Sequence, residues 1–165
     1  MVLRIAVIGS SGKISSNLKD IAEIVGQEIA RREAILITGG RDGVMEAASK
    51  GARNEKGVVV GILPEDTEVR ANPHVNIAIT TGIGFARNYI NVVSSDAIIS
   101  IAGSGGTLSE IGYAIALQKP LVLLKGTGGV TDLIANNHML FPNAKIHLSE
   151  TPADAVNWVF TNYSK

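Results

Sequence analysis

The sequence predicts an α/β fold built on a doubly wound, Rossmann-like parallel sheet of about six or seven strands with helices on both faces. Three observations predict it. Short apolar runs of strand length alternate along the chain with segments of helical periodicity. The 18 glycines cluster where the apolar runs stop. No repeat, low-complexity stretch or linker interrupts the alternation, so residues 1–165 are expected to form a single domain.

Seven segments are predicted to be strands. Each is a short apolar run, and most of them stop at a glycine, a proline or a polar turn, which is typical of buried strands in a parallel sheet. The strand pattern of the last segment is the weakest of the seven. In chain order they are Leu3–Ile8, Ile35–Thr38, Val58–Leu63, Val75–Thr80, Ala97–Ala102, Leu121–Leu124 and Lys145–Leu148.

Six helices are predicted between and after these strands. The first has an apolar face that runs from Leu18 to Ile29, and either Ser15 or Ser16 is expected to cap it. The last begins at Pro152, with Thr151 as its cap. The six predicted helices are the one carrying Leu18–Ile29, Val44–Arg53, the segment that follows Gly84 and ends at Val93, Leu108–Leu117, Val130–Asn136 and Pro152–Phe160.

The composition excludes several classes of function. Acidic and basic residues balance at 15 each, so the strong basic field of a nucleic-acid-binding protein is missing. There is no cysteine, which removes disulfides, thiolate nucleophiles and zinc sites of the cysteine type. The histidines His74, His138 and His147 are scattered without metal-ligand spacing, so no metal site is expected. No apolar run spans a bilayer and no signal-peptide pattern is present, which predicts a cytoplasmic protein with no membrane partner.

The turn after the first strand is Gly9-Ser10-Ser11-Gly12. Small residues and free backbone amides at the start of a helix favour an anion, and the first-strand turn of this fold usually faces the ligand. A tight turn that glycine merely permits is the alternative. The spacing fits neither the G-x-G-x-x-G dinucleotide fingerprint nor the P-loop, so a typical NAD enzyme and a P-loop ATPase are both disfavoured.

The turn after the second strand also carries candidate ligand-binding residues. Gly39 and Gly40 end the strand, and Gly43 opens the following helix. Arg41 can meet a phosphate, and Asp42 is a suitable helix cap. We expect Gly39, Gly40, Arg41 and Gly43 to form one wall of a phosphate site.

The turn after the fifth strand is the most specific of the glycine-rich stretches. Its glycines bring backbone amides close to an anion at a helix N-terminus, and a threonine hydroxyl adds a donor. Glu110 follows within about one turn and suits a sugar hydroxyl or acid–base chemistry. The alternative is a capping acid in the first helical turn. The predicted phosphate-binding residues here are Gly103, Ser104, Gly105, Gly106 and Thr107.

Arg87 lies early in the helix that follows the fourth strand. It can bind a phosphate, or it can support Glu110 by charge pairing. The alternative is an arginine on the solvated face of the helix.

The two longer motifs resemble the family once labelled "possible lysine decarboxylase", whose best-known members are the LOG cytokinin-activating phosphoribohydrolases. That family carries G-G-G-x-x-G-L-M-G after strand two and P-G-G-x-G-T-x-x-E after strand five. Here the first reads T-G-G-R-D-G-V-M-E from Thr38 to Glu46, and the second reads A-G-S-G-G-T-L-S-E from Ala102 to Glu110. The resemblance extends from Gly9 to Pro120.

The resemblance implies a nucleotide-binding domain that cleaves the N-glycosidic bond of a nucleoside 5′-monophosphate, with Arg87 and Glu110 as catalytic residues. The chain departs from the family around both residues. The family arginine lies in M-H-x-R-K, whereas Arg87 lies in F-A-R-N, and Ala102 and Ser104 replace a proline and a glycine. Lysine decarboxylation is disfavoured, since no lysine suits a pyridoxal Schiff base.

The sequence is also similar to the molybdenum cofactor carrier proteins, which share this fold and bind a pterin phosphate without chemistry. Two functions therefore stay open. One is a nucleotide-binding protein with phosphoribohydrolase activity that needs no cofactor. The other is a carrier or sensor of a phosphorylated cofactor, with molybdenum cofactor as the carried ligand. An interaction protein with purely structural glycine turns is a third alternative. The predicted partners are a phosphorylated, nucleotide-like small molecule and further copies of the chain in a dimer or higher homo-oligomer.

Overall fold

The computed structural model describes residues 1–163. Seven strands within that range form one sheet, and every neighbouring pair in it is parallel. The predicted fold class is therefore confirmed, at the upper end of the expected strand number. In chain order the strands are β1 (Arg4–Gly9), β2 (Ile35–Thr38), β3 (Val59–Leu63), β4 (Ile77–Thr80), β5 (Ala97–Ile101), β6 (Leu121–Leu124) and β7 (Ile146–Ser149).

Six α-helices connect and follow the strands, and short 3-10 turns precede the third helix and follow the fifth. The first helix is capped by Ser15, whose Oγ accepts a hydrogen bond from Leu18 N at 3.2 Å. Thr151 caps the last one in the same way, as predicted. The helices are α1 (Ser16–Arg31), α2 (Val44–Asn54), α3 (Arg87–Ser94), α4 (Gly105–Ala116), α5 (Gly129–Asn136) and α6 (Pro152–Asn162).

The sheet separates two apolar layers, because successive strand side chains point to opposite faces. Ile5 and Val7 of β1 pack with α1, α2 and α6 on one face. Ala6 and Ile8 of the same strand pack with α3, α4 and α5 on the other. Because the strands are buried on both faces of the sheet, nearly all of their side chains must be apolar. Such continuous apolar runs are the pattern from which the strands were predicted.

The order of the strands across the sheet is β4-β3-β2-β1-β5-β6-β7. The chain proceeds outward from β1 to β4, then returns to the other side of β1 and continues from β5 to β7. The order therefore reverses between β1 and β5, which pair in register from Ile5 opposite Ala97 to Gly9 opposite Ile101. Ligand sites of open α/β sheets lie at such a reversal, outside the carboxyl ends of the strands.

Two local predictions were wrong. Helix α4 was expected to start at Leu108 but starts at Gly105, so Gly105, Gly106 and Thr107 form its first turn. Two adjacent glycines disfavour a helix by intrinsic propensity, and the tertiary structure overrides that preference. Asp42 does not cap α2. Its Oδ1 instead accepts a hydrogen bond of 2.8 Å from Gly12 N, so it braces the first glycine turn.

Candidate functional site

A pocket of about 310 Å³ lies at the reversal point, between the turns that leave β1, β2 and β5. The structure brings most of the predicted site residues to its wall. Phe85, Asn88 and Met45 also line it, together with apolar residues of β1. The predicted residues that line this pocket are Gly9, Ser11, Gly39, Arg87, Ser104, Gly105, Gly106, Thr107 and Glu110.

Other predicted residues lie behind the wall and hold its turns together. Ser10 Oγ accepts a hydrogen bond of 2.9 Å from Gly103 N, which ties the turn after β1 to the turn after β5. The carbonyl of Ser10 accepts a second from Val44 N, also at 2.9 Å. A Cβ on Gly43 would strike that carbonyl, and one on Gly40 would lie 2.8 Å from Leu63. The predicted residues Ser10, Gly40, Gly43 and Gly103 therefore contact neighbouring protein atoms and do not line the pocket.

The turn after β5 is held in an unusual backbone conformation. Ala102 has a φ of 52°, which side chains rarely adopt, and Gly103 follows at 92°. Two threonines fix it, because Thr127 Oγ1 accepts from Ala102 N at 2.9 Å and Thr131 Oγ1 donates to the Ala102 carbonyl at 2.7 Å. Thr107 packs where a Cβ on Gly103 would lie. This turn directs the chain into the first turn of α4 beside the pocket.

The N-terminus of α4 is open to the pocket. The first amides of any helix have no intrahelical acceptor, and a side chain usually caps them. Ser104 is the N-cap of α4, yet its side chain makes no capping hydrogen bond, and the first turn contains no acid. A Cβ on Gly105 would meet nothing within 4 Å. These amides, with the positive end of the helix dipole, are arranged as an anion cradle would be, and binding of an anion there stays a prediction.

The N-terminus of α5 differs from that of α4, because a carboxylate of the protein binds the amides of the turn that precedes it. Asp132 accepts hydrogen bonds from Gly126 N at 2.9 Å and from Gly128 N at 2.8 Å. The glycine turn after β6 is therefore satisfied by its own chain, although its sequence is as rich in glycine as the turn that precedes α4.

Arg87 lies in the pocket wall and is only 8 % exposed. The alternative of a solvated arginine is therefore wrong. Its Nε and Nη1 are buried and, among residues 1–163, have no hydrogen-bond partner. Burial lowers the pKa of the guanidinium, and the nearby charge of Arg41 lowers it further, while Glu110 and Glu65 oppose the shift. A buried guanidinium with unused donors is suited to an external anion.

Glu110 lies in the same pocket and is 7 % exposed. It is the sixth residue of α4, so the alternative of a capping acid in the first turn is wrong. Burial raises the pKa of its carboxyl to about 7, although a hydrogen bond from Asn91 and the charge of Arg87 both lower it. At neutral pH the group is thus divided between its neutral and its charged form.

Asn91 orients Glu110, and the sequence interpretation missed it. Its Nδ2 donates a hydrogen bond of 2.7 Å to Glu110 Oε1, and the two side chains are both buried. Within the described part of the chain, Arg87 and Glu110 form no ion pair within 4.0 Å, so the expected charge pairing acts only at longer range. One signal in the sequence could have identified Asn91. It follows Arg87 by one helical turn on α3, so the two side chains lie on the same face of that helix.

Asn88 is a second missed residue. Its Nδ2 donates to Ser109 Oγ at 2.9 Å and to the Gly106 carbonyl at 3.3 Å. This amide fixes α3 against the first turn of α4, and it thereby sets the position of Arg87 relative to the anion cradle.

Arg41 lies in a neighbouring pocket of about 260 Å³, which shares Phe85 and Arg87 with the first. Its Nη1 lies 3.4 Å from Glu65 Oε1. Contact between Arg41 and a ligand phosphate stays a prediction.

The described residues contain no cluster of three or more histidine and acidic side chains that could hold a metal ion. None of the helices in the range 1–163 combines the length and apolar character that a membrane span requires.

Comparisons with known proteins agree with this fold. The chain is 38% identical to an uncharacterized protein of Archaeoglobus fulgidus, over 99% of both chains. It is similar to the molybdenum cofactor binding protein of the phototrophic bacterium Rippkaea orientalis, with 35% identity, 99% of each chain covered and a TM-score of 0.91. The molybdenum cofactor carrier protein of Chlamydomonas reinhardtii matches with 32% identity, 98% of each chain covered and a TM-score of 0.88.

The sequence model of one family matches nearly the whole chain, from residue 2 to residue 156. Together with the structural neighbours, this match confirms the resemblance to LOG-like and molybdenum cofactor carrier proteins. The chain belongs to the SLOG cluster4 family.

Proposed function

We propose that this protein is a non-catalytic carrier of a phosphorylated pterin, of the molybdenum cofactor type. The observation that carries the proposal is Arg87, whose Nε and Nη1 are buried without a partner in the described residues while the side chain lines the pocket. Unsatisfied donors of this kind cost free energy unless a ligand engages them. The relatives named for molybdenum cofactor binding and carriage give the class of ligand.

The donor set fits a phosphate ester. The amides of Gly105, Gly106 and Thr107 would bind its oxygens at the N-terminus of α4, and Arg87 would add a charged, forked donor. Glu110 would repel a phosphate dianion when it is ionised, but its pKa of about 7 allows the neutral form. In that form the carboxyl can donate a hydrogen bond to the ligand.

A loading experiment tests the proposal. The purified protein is mixed with molybdenum cofactor released from a molybdenum enzyme, and bound and free cofactor are separated by gel filtration. Molybdenum is then measured by mass spectrometry and the pterin by fluorescence after oxidation. We expect both to co-elute with the protein at near-equal molar amounts.

The matched variants are Arg87→Met and Arg53→Met, each of which removes one guanidinium. We expect Arg87→Met to abolish co-elution and Arg53→Met to keep it, since Arg87 lines the phosphate pocket whereas Arg53 is exposed on α2 and bonds the Gly57 carbonyl. Equal loading of the wild type and Arg87→Met, or no loading of the folded wild type, would contradict the proposal.

A second candidate is the phosphoribohydrolase reaction, favoured by the presence of Arg87 and Glu110 in one pocket. An ionised Glu110 would stabilise positive charge at the anomeric carbon as the base departs, and Arg87 would hold the phosphate. The carrier is preferred because two structural neighbours are named for binding or carrying the molybdenum cofactor, and because burial disfavours the charged form of Glu110 that this reaction needs.

The reaction is tested by incubation with AMP and related monophosphates, with ribose 5-phosphate as the measured product. Release that exceeds a Glu110→Gln control would favour the hydrolase. Binding of the monophosphate without release is the result expected of a carrier.

The carrier is proposed to act in the cytoplasm as a homo-oligomer. Tyr89 and Val93 are exposed one turn apart on α3, and the exposed Tyr113 of α4 packs its ring 5.3 Å from that of Tyr89. The last helix packs its valines into the core and leaves them unavailable to a partner. Light scattering after size exclusion should give a mass above one chain, and Val93→Glu should lower it. A monomeric mass for the wild type would contradict this.

A further inference from the structure

The second pocket, lined by Arg41, Pro64, Glu65, Gly84, Phe85 and Arg87, is not explained by phosphate binding. Glu65 begins the polar loop that follows β3, directly after Pro64. Two backbone hydrogen bonds fix this point of the chain, from Gly82 N to the Glu65 carbonyl and from Gly84 N to the Pro64 carbonyl, each at 3.0 Å. The Glu65 carboxylate is thus held by an anchored backbone in the pocket wall.

The two oxygens of this carboxylate have different surroundings. Oε1 faces two guanidinium groups, with Arg41 Nη1 at 3.4 Å and Arg70 Nη1 at 3.8 Å. Oε2 is buried and has no hydrogen-bond partner in the described residues. A buried carboxylate oxygen without a donor is uncommon, and it costs free energy that a ligand N–H can recover.

The two pockets are adjacent, since Phe85 and Arg87 line both. A ligand with its phosphate at α4 can therefore extend past Arg87 toward Glu65. The ring of Phe85 is 82 % exposed at this boundary and offers a face on which a flat heterocycle can stack. The first turn of α4 lines one pocket, Glu65 lines the other, and Phe85 lines both, so a ligand that spans the pockets would meet amides, an aromatic face and a carboxylate in that order.

We infer that Glu65 recognises the 2-amino-4-oxopyrimidine edge that pterins and guanine share. This edge presents a ring N–H and an amino N–H side by side. A carboxylate accepts such a pair with both oxygens, as it does from the fork of an arginine. Adenine and hypoxanthine lack the pair. The inference rests on the proposed phosphate site and adds to it the part of the ligand that gives specificity.

The experiment compares ligands that differ at one group. GMP is compared with IMP, which lacks the 2-amino group, and 6-hydroxymethylpterin phosphate with its lumazine analogue, in which a carbonyl replaces that group. Affinities are measured by calorimetry. A hydrogen bond to a charged acceptor strengthens binding by about tenfold or more. In the ligand pair that fits the pocket, the member with the 2-amino group should therefore bind about tenfold more tightly, or better, than the member without it.

Two variants in one loop report the role of the carboxylate. Glu65→Gln keeps an acceptor for Arg41 but replaces one oxygen with an amide NH₂. In this variant the ligands with and without the 2-amino group should bind with nearly equal affinity. Glu68→Gln removes an exposed carboxylate of the same loop and should leave the preference unchanged. Ribose 5-phosphate, which lacks the heterocycle, should bind equally to the wild type and to both variants.

Each outcome has a defined meaning. A preference in the pterin pair or in the purine pair supports the inference and identifies the heterocycle. Equal affinities within both pairs, or a preference that Glu65→Gln retains, would overturn it. If ribose 5-phosphate fails to bind the wild type, the phosphate site itself is wrong, and this distinguishes failure of the proposed function from failure of the Glu65 inference.

Discussion

The guanidinium of Arg87 lies over the α-carbon of Gly39, in the space that a side chain at position 39 would fill. A Cβ on Gly39 would collide with both Nη1 and Nη2, and it would lie 2.6 Å from Met45 Sδ. The glycine that ends β2 is thus required by a side chain that lies 48 positions further along the chain. Arg87 can be buried beside the pocket because Gly39 leaves room for it.

Gly39→Ala should therefore displace Arg87 and weaken the binding of ribose 5-phosphate by about tenfold or more, the loss expected for a charged hydrogen bond. It should also lower the free energy of unfolding, since the collision involves a buried group. Calorimetry and urea denaturation measure the two effects. Unchanged phosphate affinity in Gly39→Ala would show that the position of Arg87 is irrelevant to binding.

Gly112→Ala is the matched control for that substitution. Gly112 is exposed within α4, and a Cβ there would meet nothing within 4 Å. Alanine is favoured over glycine inside a helix by about 1 kcal/mol. We expect the free energy of unfolding to rise by about that amount and the phosphate affinity to stay constant. A loss of stability would indicate a contact that the geometry does not contain.

Arg87→Met should stabilise the ligand-free protein while it abolishes phosphate binding. The substitution removes two buried nitrogen atoms whose N–H groups have no partner in the described residues, and it keeps a side chain of similar length. An unsatisfied buried donor costs about 1–3 kcal/mol, so the free energy of unfolding should rise within that range. Thermal unfolding with and without phosphate measures both effects. A destabilised Arg87→Met would mean that the guanidinium contributes more to the fold through Glu110 than its burial costs.

The stability of the protein should depend on pH through Glu110. Below the ordinary carboxyl pKa of 4.5 the group is neutral in both the folded and the unfolded state. Between 4.5 and about 7 the folded state retains the proton that the unfolded state releases, so the free energy of unfolding falls as pH rises. The expected loss across this range is about 3 kcal/mol.

Glu110→Gln supplies the comparison, since it keeps an oxygen acceptor for Asn91 and cannot ionise. Urea denaturation of both proteins between pH 4 and pH 8 should give a difference in unfolding free energy that grows with pH and levels off above about 7. A difference that is constant with pH would contradict the raised pKa.

Phosphate affinity should have a maximum near neutral pH. A phosphate ester becomes a dianion near pH 6, which strengthens its attraction to Arg87 and the α4 amides. Glu110 ionises at about 7 and then repels the dianion, so the affinity should fall again at higher pH. In Glu110→Gln the affinity should rise through pH 6 and then stay level. Calorimetry of ribose 5-phosphate across this range, in buffers of different ionisation enthalpy, measures the affinity and the proton taken up.

The sequence predicted the strands within two residues because burial on both faces demands uninterrupted apolar runs such as Ile35–Thr38. It also predicted which glycine turns approach the pocket, since the turns after β1, β2 and β5 all leave the carboxyl edge of the sheet. The start of α4 could not be predicted, because Gly105 and Gly106 are poor helix formers and only the anchored turn at Ala102 places them in a helix.

Interactions between distant side chains were not predictable for a different reason. The hydrogen bond from Asn91 to Glu110 and the approach of Arg41 to Glu65 join residues on separate elements. Neither pair has a spacing along the chain that marks it. The contacts depend on how α3 packs against α4 and how the loop after β3 folds back, which are properties of the tertiary structure.

The Asp132 carboxylate has a consequence for where an external anion can bind. It occupies the amides of Gly126 and Gly128, and the α5 turn lies directly against Gly103, the residue before the N-cap of α4. Two glycine-rich helix starts thus lie side by side, and one of them is already filled by its own chain. An incoming anion is therefore expected to choose the start of α4, where no side chain caps the helix.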